Sequence, residues 1–340
     1  MSTTSPPGRP GEPMASGAQD LRTVAGHRPD GDVVDDISSV EHAAVGAPGG
    51  PAGLDASLAD VGPSRSLAAD AWRRFRRNRM AIFGLVLVLF LIIVALVGPF
   101  FVRDPLATTG PPREGPTNQY WMGTDRLGRD VFSRVVYGIR LSLFIGLVAT
   151  VAETTIGILV GAIAGWFRGW SDTILMRFVD IILGVPYFVL ALVLVTIIGR
   201  GISAVVITLA LTAWLQTART VRAGFLQVRE LEYIEAAKAI GVPTKRIIGR
   251  HVMPNVFQPV IVLVAVGIGT AILAEAALSF LGVGIPAPQP SLGLMVAEAQ
   301  TEVTDHFYLL FFPGISIVFT VLGFLLVGDG LRDALDVKDV

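Results

Sequence analysis

Apolar stretches long enough to cross roughly 30 Å of hydrocarbon, about 20 residues each, recur along this chain. They fall near residues 81–102, 141–167, 178–199, 202–218, 257–283 and 307–328. Gly199-Arg200-Gly201 leaves room only for a tight hairpin between the third and fourth stretches. Pro186 and Pro313 lie inside helical segments. Kinks there are tolerable where neighbouring helices satisfy the freed carbonyls. The pattern predicts an all-α, polytopic membrane protein with about six transmembrane helices.

Residues 1–70 read differently. Up to about residue 65 they are rich in Pro, Gly, Ser, Ala and Asp, without helical or strand period. Such a segment cannot bury enough apolar surface to offset its ordering entropy, so a disordered cytoplasmic tail is expected. It has no apolar h-region and is not a secretory signal. Residues 71–340 form the expected membrane domain, with a core at 141–330 and a cytoplasmic loop at 219–256.

Composition agrees with membrane residence. Of 340 residues, 52% are hydrophobic and 16% charged, against about 25% charged in soluble domains. Mean hydropathy is +0.62. A net charge of −1 creates no global field for nucleic acid. Cysteine is absent, and the four histidines, His27, His42, His251 and His306, are scattered. No metal site is expected from them.

Basic residues set the orientation. Arg73, Arg74, Arg76, Arg77 and Arg79 precede the first span, which keeps the N-terminus in the cytoplasm. Six spans return the C-terminus to the same side. Beyond the distal tail, Lys plus Arg number 17 inside and 7 outside in this arrangement. The loop from Arg103 to Arg140 departs locally from the rule, with six arginines. Trp72, Trp166 and Trp170 are expected at the inner interface.

Two acids stand within the spans. Glu153 lies near the centre of the second and Glu275 in the outer half of the fifth, one turn before Ser279. A charge at that depth costs about 2.5–3.5 kcal/mol on insertion scales. Each acid is therefore a candidate for a helix-to-helix hydrogen bond or for the lining of a translocation path. Arg177 and Asp180 are spaced for an i,i+3 ion pair. Gly157 and Gly161 have the small-residue spacing of close helix packing. Asp125, Arg126, Arg129 and Asp130 in the first outer loop suit either an extracytoplasmic protein contact or an internal salt-bridged cap.

The loop at 219–256 is the most informative polar segment. Good helix formers from Arg229 to Ile240 end at Gly241, a residue suited to the left-handed stop of a helix. A second short helix carries Arg246 and Arg250, and Pro254 is expected to stop it before the fifth span. The Ala-rich face has little bulk and fits a narrow groove on a partner, although a solvated connection has the same composition.

Glu235-Ala236-Ala237, Gly241 and the stretch ending at Pro254 resemble the EAA motif of ABC import permeases. His251-Val252-Met253-Pro254-Asn255 is similar to the variant found in the dipeptide and oligopeptide branch. Gly123-Thr124-Asp125-Arg126-Leu127-Gly128-Arg129-Asp130, Glu275-Ala276-Ala277-Leu278-Ser279-Phe280-Leu281-Gly282 and the ending Gly328–Asp336 resemble further segments of that DppC/OppC-type branch. The likeness covers roughly residues 72–337. It implies a type I ABC importer permease fold and the import of short peptides. It makes Glu235, Ala236, Ala237, Gly241, His251, Pro254 and Asn255 the elements coupled to the ATPase.

The resemblance also implies partners: a second homologous permease, one or two P-loop ATPase subunits that bind ATP and Mg, and an extracytoplasmic solute-binding protein. The chain itself has three lysines, Lys238, Lys245 and Lys338, none in a GxxxxGK[ST] loop. It is therefore expected to be no enzyme and to hold no cofactor of its own. Nickel chelates or another small solute are the alternative cargo. An ion-coupled secondary transporter or a membrane receptor is the alternative class. The expected location is the inner (plasma) membrane, among lipids.

Overall fold

The computed structural model describes residues 67–336. Nearly all of the expected tail, and Lys338, lie outside the described residues. Helix α1 runs Leu67–Arg77, so helical structure begins four residues before the expected boundary at 71. Helix α2 (Arg79–Val97) starts at Asn78, whose side chain accepts from the amides of Met80 and Ala81 at 3.0 and 3.2 Å. Helix α3 (Val131–Phe167) is 37 residues long and starts ten residues before the expected span. Asp130 caps it by accepting from the Ser133 amide at 3.1 Å. Helix α6 (Ile202–Arg229) and helix α11 (Tyr308–Leu335) complete the long elements together with helix α9 (Met253–Phe280).

The third expected span, 178–199, is not one helix. Helix α4 (Trp170–Leu183) and helix α5 (Tyr187–Ile198) meet at 92°. The cause is local. Pro186 has no amide hydrogen, and its ring disfavours helical backbone at Val185. Gly184 closes α4 by donating to the Asp180 carbonyl at 3.1 Å. Among the described residues, five helices are thus long and apolar enough to cross a membrane, or six spans when the bent pair is one. Gly199 and Gly201 form the expected hairpin into α6, at φ +115° and +127°.

Three further expectations change. The polar connection is shorter than 219–256, because α6 stays helical to Arg229. Pro254 does not stop a helix. Helix α8 (Thr244–Ile247) continues through a π-turn at Ile248–Val252 directly into α9. A proline ring clashes with the carbonyl four residues back, and the wider turn opens there: the Met253 amide bonds the Ile248 carbonyl instead. Asp180 pairs not with Arg177 but with Arg219, which the neighbouring α6 presents.

The α3–α6 pair is the most extensive helix contact. Gly157, Gly161 and Gly165 recur every fourth residue on α3 and face α6. A Cβ on Gly157 would lie 2.6 Å from Thr217 Cβ, one on Gly165 2.5 Å from Phe225 Cβ, and one on Gly161 against the Ala218 carbonyl. The spacing of Gly157 and Gly161 is therefore a packing device. Lipid tails are as apolar as leucine, so such close contact, not water exclusion, drives association.

Glu275 makes the outer junction. It is completely buried and accepts from Ser142 of α3 at 3.0 Å, Ser279 at 2.8 Å and Ser291 at 2.9 Å. Ser291 precedes helix α10 (Leu292–Ala299). Leu292 fits against Gly138, and Gly293 lies against the Ala276 backbone. One carboxylate therefore ties three elements.

Two outcomes follow from this packing. Gly161→Leu must push α3 from α6, at about 1–3 kcal/mol or more for overpacking. It should lower the thermal midpoint of the detergent-solubilised chain, whereas Gly314→Ala, with nothing within 4 Å, should not; heated samples on fluorescence size-exclusion read both. Glu275→Leu leaves three buried serine hydroxyls without their acceptor, each worth about 1–3 kcal/mol. It should aggregate or melt early by the same assay. Glu275→Gln, which keeps a carbonyl acceptor and fits a hydroxyl at its amide, should stay folded.

Candidate functional site

At the inner end, helix α7 (Glu232–Ala239) sits between α6 and α8. Its stop is the expected one. Gly241 has φ +80°, the Val242 amide donates to the Ala237 carbonyl and the Gly241 amide to the Lys238 carbonyl, both at 3.0 Å. These two bonds make a Schellman cap, which needs a left-handed residue. Ile234 and Ile247 are buried among Trp166, Phe225, Val228, Val252 and Val256. They fasten the two short helices to the inner ends of α3, α6 and α9.

The two alanines of the motif do different things. Ala237 is half-buried against this same cluster, so it serves the chain's own packing. Glu232, Glu235, Ala236, Ala239 and Ile240 are exposed, at helical spacing on the opposite face. Ile240 is 81% exposed. Sequence reasoning expected both alanines in a partner's groove; of the two, Ala236 is exposed and Ala237 half-buried. His251 stacks obliquely on Tyr233, with ring centroids 6.0 Å apart. The Asn255 side chain donates to the His251 carbonyl at 2.6 Å. The widened turn thereby keeps a partner for one of its carbonyls. Pro254 is exposed beside it. Trp166 is not a free interface anchor. It is buried, with Arg229 at 5.6 Å and Lys238 at 5.5 Å over its ring.

Within the spans the two acids are apart. Glu275 occupies the outer junction. Glu153, 6% exposed, faces α9 at Gly267, where a Cβ would lie 3.0 Å from its Oε1. Gly267 is eight residues from Glu275 on α9, about 12 Å along a helix. The buried hydroxyls of Thr150 and Thr208, in α3 and α6, have no hydrogen-bond partner among the described residues.

The outer candidates form a closed cluster. Asp125 accepts from the amides of Leu127 and Arg129 at 2.8 and 2.9 Å and from Arg129 Nε at 2.6 Å. It also pairs with Arg134. Arg134 reaches Glu298 of α10 at 3.0 Å, and Arg129 and Arg126 approach the same carboxylate at 3.6 and 3.9 Å. Asp125, Arg129 and Asp130 are buried; of the four expected residues only Arg126 reaches solvent. Arg113 forks onto Glu302 at 2.6 and 2.8 Å and holds its carboxyl below the usual range. Sequence reasoning passed over Glu298, Glu302, Ser142 and Ser291; for Glu298, Glu302 and Ser142 the partners are 133 to 189 residues distant. Arg134, four residues beyond the Gly123–Asp130 stretch, had no stated role.

Residues 157–338 match the family described as binding-protein-dependent transport system inner membrane component. Residues 66–120 match the N-terminal TM domain of oligopeptide transport permease C. The chain is 41% identical over 282 residues to the dipeptide transport system permease protein DppC of Bacillus subtilis, covering 81% of this chain and 87% of that protein. It is 39% identical over 277 residues to the oligopeptide transport system permease protein OppC of the same organism, covering 81% and 91%. It is 37% identical over 270 residues to the glutathione transport system permease protein GsiD of Pectobacterium atrosepticum, covering 78% and 90%. Among solved structures, a chain of the inward-facing MetNI methionine ABC transporter superposes with a TM-score of 0.49 at 19% identity, over 60% of this chain and 96% of that one.

The family matches set aside ion-coupled transport and a receptor role. A system of this kind comprises an ATPase, a binding protein and paired permeases. Its permease component is not itself an enzyme. This chain is a multi-pass protein of the inner membrane and belongs to the DppC/OppC family of ABC importer permeases.

Proposed function

We propose that the chain moves short peptides inward as one of two homologous permeases, driven by one or two ATPase subunits that bind ATP and Mg. The cargo reading is supported by relatives named for dipeptide, oligopeptide and glutathione transport. Both termini lie in the cytoplasm, as the arginines before α2 favour. The binding protein docks on the opposite side, where Arg126 is the candidate contact that reaches solvent. Glu153 belongs to the translocation path: it is a membrane-embedded carboxylate for which the described residues supply no hydrogen bond, and such acids often mark substrate routes. Glu275 holds the helices that frame that path.

The coupling element carries the mechanism. The outward face of α7, with Glu235, Ala236, Ala239 and Ile240, docks in a groove of the ATPase. Ile234, Ala237 and Ile247 pass the resulting push to α6 and α9. Gly241, His251, Pro254 and Asn255 keep α7 at its angle to the α8–α9 rod. Closing of the ATPases then rocks α6 and α9, and with them the access of Glu153 to either side.

Variants on the two faces of α7 separate docking from folding. Ala236→Arg should insert and melt normally, fail to retain the ATPase in pull-downs, and reduce reconstituted uptake by about tenfold or more. Ala237→Arg should instead lower the thermal midpoint. Gly241→Val, strained at positive φ, should lose uptake. Wild-type uptake by Ala236→Arg rejects the coupling assignment.

Cargo is tested in cells. A strain lacking the gene should fail to grow on di- or oligopeptides and should resist toxic peptide analogues. Normal peptide use with failing nickel enzymes would replace peptide by a nickel chelate.

A further inference from the structure

Helix α1 carries charge that the transport reading leaves unused. Its sequence is Leu-Ala-Ala-Asp-Ala-Trp-Arg-Arg-Phe-Arg-Arg. Phe75 is buried and packs with Ala81, Ala334 and the half-buried Ala71, Ile82, Leu85 and Leu331. That contact fixes α1 against the ends of α2 and α11. Arg74 donates to the Asp336 carbonyl at 2.8 Å, and Asn78 donates to Asp333 Oδ2 at 3.1 Å. The remaining arginines face away. Arg73, Arg76 and Arg77 are exposed at i, i+3 and i+4. Trp72 (54%) and Met80 (66%) are exposed beside them. The acids on the packed elements are Asp70 in α1, Asp329 and Asp333 in α11, and Asp336 at its end. Asp70, Asp329 and Asp333 form no ion pair with Arg73, Arg76 or Arg77 among the described residues.

We propose that this face of α1 binds the phosphate groups of anionic phospholipids in the leaflet it adjoins. Three guanidiniums on one face present paired N–H donors, which suit phosphate oxygens. Indole and thioether side chains at their edge suit the headgroup boundary, where an amphipathic helix lies with its charged face outermost. Basic clusters beside a membrane span draw anionic lipid. The consequence is positional. Phe75 links α1 to the ends of α2 and α11, so lipid held by α1 tethers that corner of the permease while α6 and α9 move. The leaflet is the cytoplasmic one, a point that rests on the orientation proposed above.

The test uses the complete transporter in nanodiscs of phosphatidylcholine mixed with phosphatidylglycerol. Lipids kept through detergent extraction are counted by native mass spectrometry. The wild type should retain phosphatidylglycerol preferentially, and salt should weaken that preference. R73Q/R76Q/R77Q should lower it by about a hundredfold, R73K/R76K/R77K should lower it less, and each single Gln variant should lower it in part. The matched control K245Q/R246Q/R250Q removes three charges elsewhere and should keep it. Unchanged preference in R73Q/R76Q/R77Q, or an equal loss in the control, overturns the proposal. Loss of the ATPase with lipid retention unchanged also overturns it, in favour of a protein contact. Orientation is read separately. The chain has no cysteine, so Ser66→Cys should label only from the cytoplasmic side. Labelling from outside would reject the orientation and leave the lipid result standing on its own.

Discussion

The close approach of α3 to α6 is the constraint on which the other parts depend. In lipid no water is displaced when two apolar helices meet, so their contact must come from fit. Gly157, Gly161 and Gly165 provide it by letting the α6 backbone and Thr217 come within side-chain distance. Both helices run beyond the spanning length. At its outer end α3 carries Asp130 and Arg134, near its centre Glu153, and at its inner end Trp166. Arg229 at the end of α6 bonds the Trp166 carbonyl and covers its ring. The same rigid pair thus joins the outer cluster to the platform under α7.

The outer cluster shows what buried charge does here. Desolvation of ion pairs offsets much of their attraction, so such a network is weak evidence of stability. Its geometry is restrictive all the same. Glu298 faces three arginines from the first outer loop and from α3, and Asp125 lies between two of them. Moving α10 alone would strand buried guanidiniums. The loop before α3, the start of α3 and α10 therefore move together or not at all. Glu275 adds a second, uncharged-partner link at the other end of α10. The outer face is consequently one rigid plate.

How far these features were legible in the sequence depended on their range. Five of the spans were visible because apolar length is a one-dimensional property. The break at Gly184–Pro186 was not, because hydropathy counts residues and carries no direction. Pro186 showed as a kink, but apolar length does not distinguish a kinked span from a 92° break. Gly241 was readable since a left-handed stop is local. Pro254 misled for the complementary reason: its ring excludes an α-turn but not the π-turn that forms. For Asp125, Arg126, Arg129 and Asp130 a protein contact and an internal salt-bridged cap stayed equally open, because Glu298, which faces Arg126 and Arg129, has no motif that announces it.

The division of α7 into two faces bears on how force can pass. A loop that docked by a flexible tip would absorb the motion of a partner. Here Ile234 and Ile247 are buried to within 1% of full enclosure, and close-packed interiors transmit displacement because they compress little. The Schellman cap removes the freedom of the turn at Gly241. Asn255 and the His251–Tyr233 contact brace the π-turn where a helix would otherwise be weakest. From α8 the chain then runs without interruption through Glu275 to the outer junction. Between α7 and α9 the least regular helical backbone is the wide turn at 248–252. His251, Pro254 and Asn255 lie in or beside that turn: the Tyr233 contact and the Asn255 bond to the His251 carbonyl brace it, and the Pro254 ring widens it.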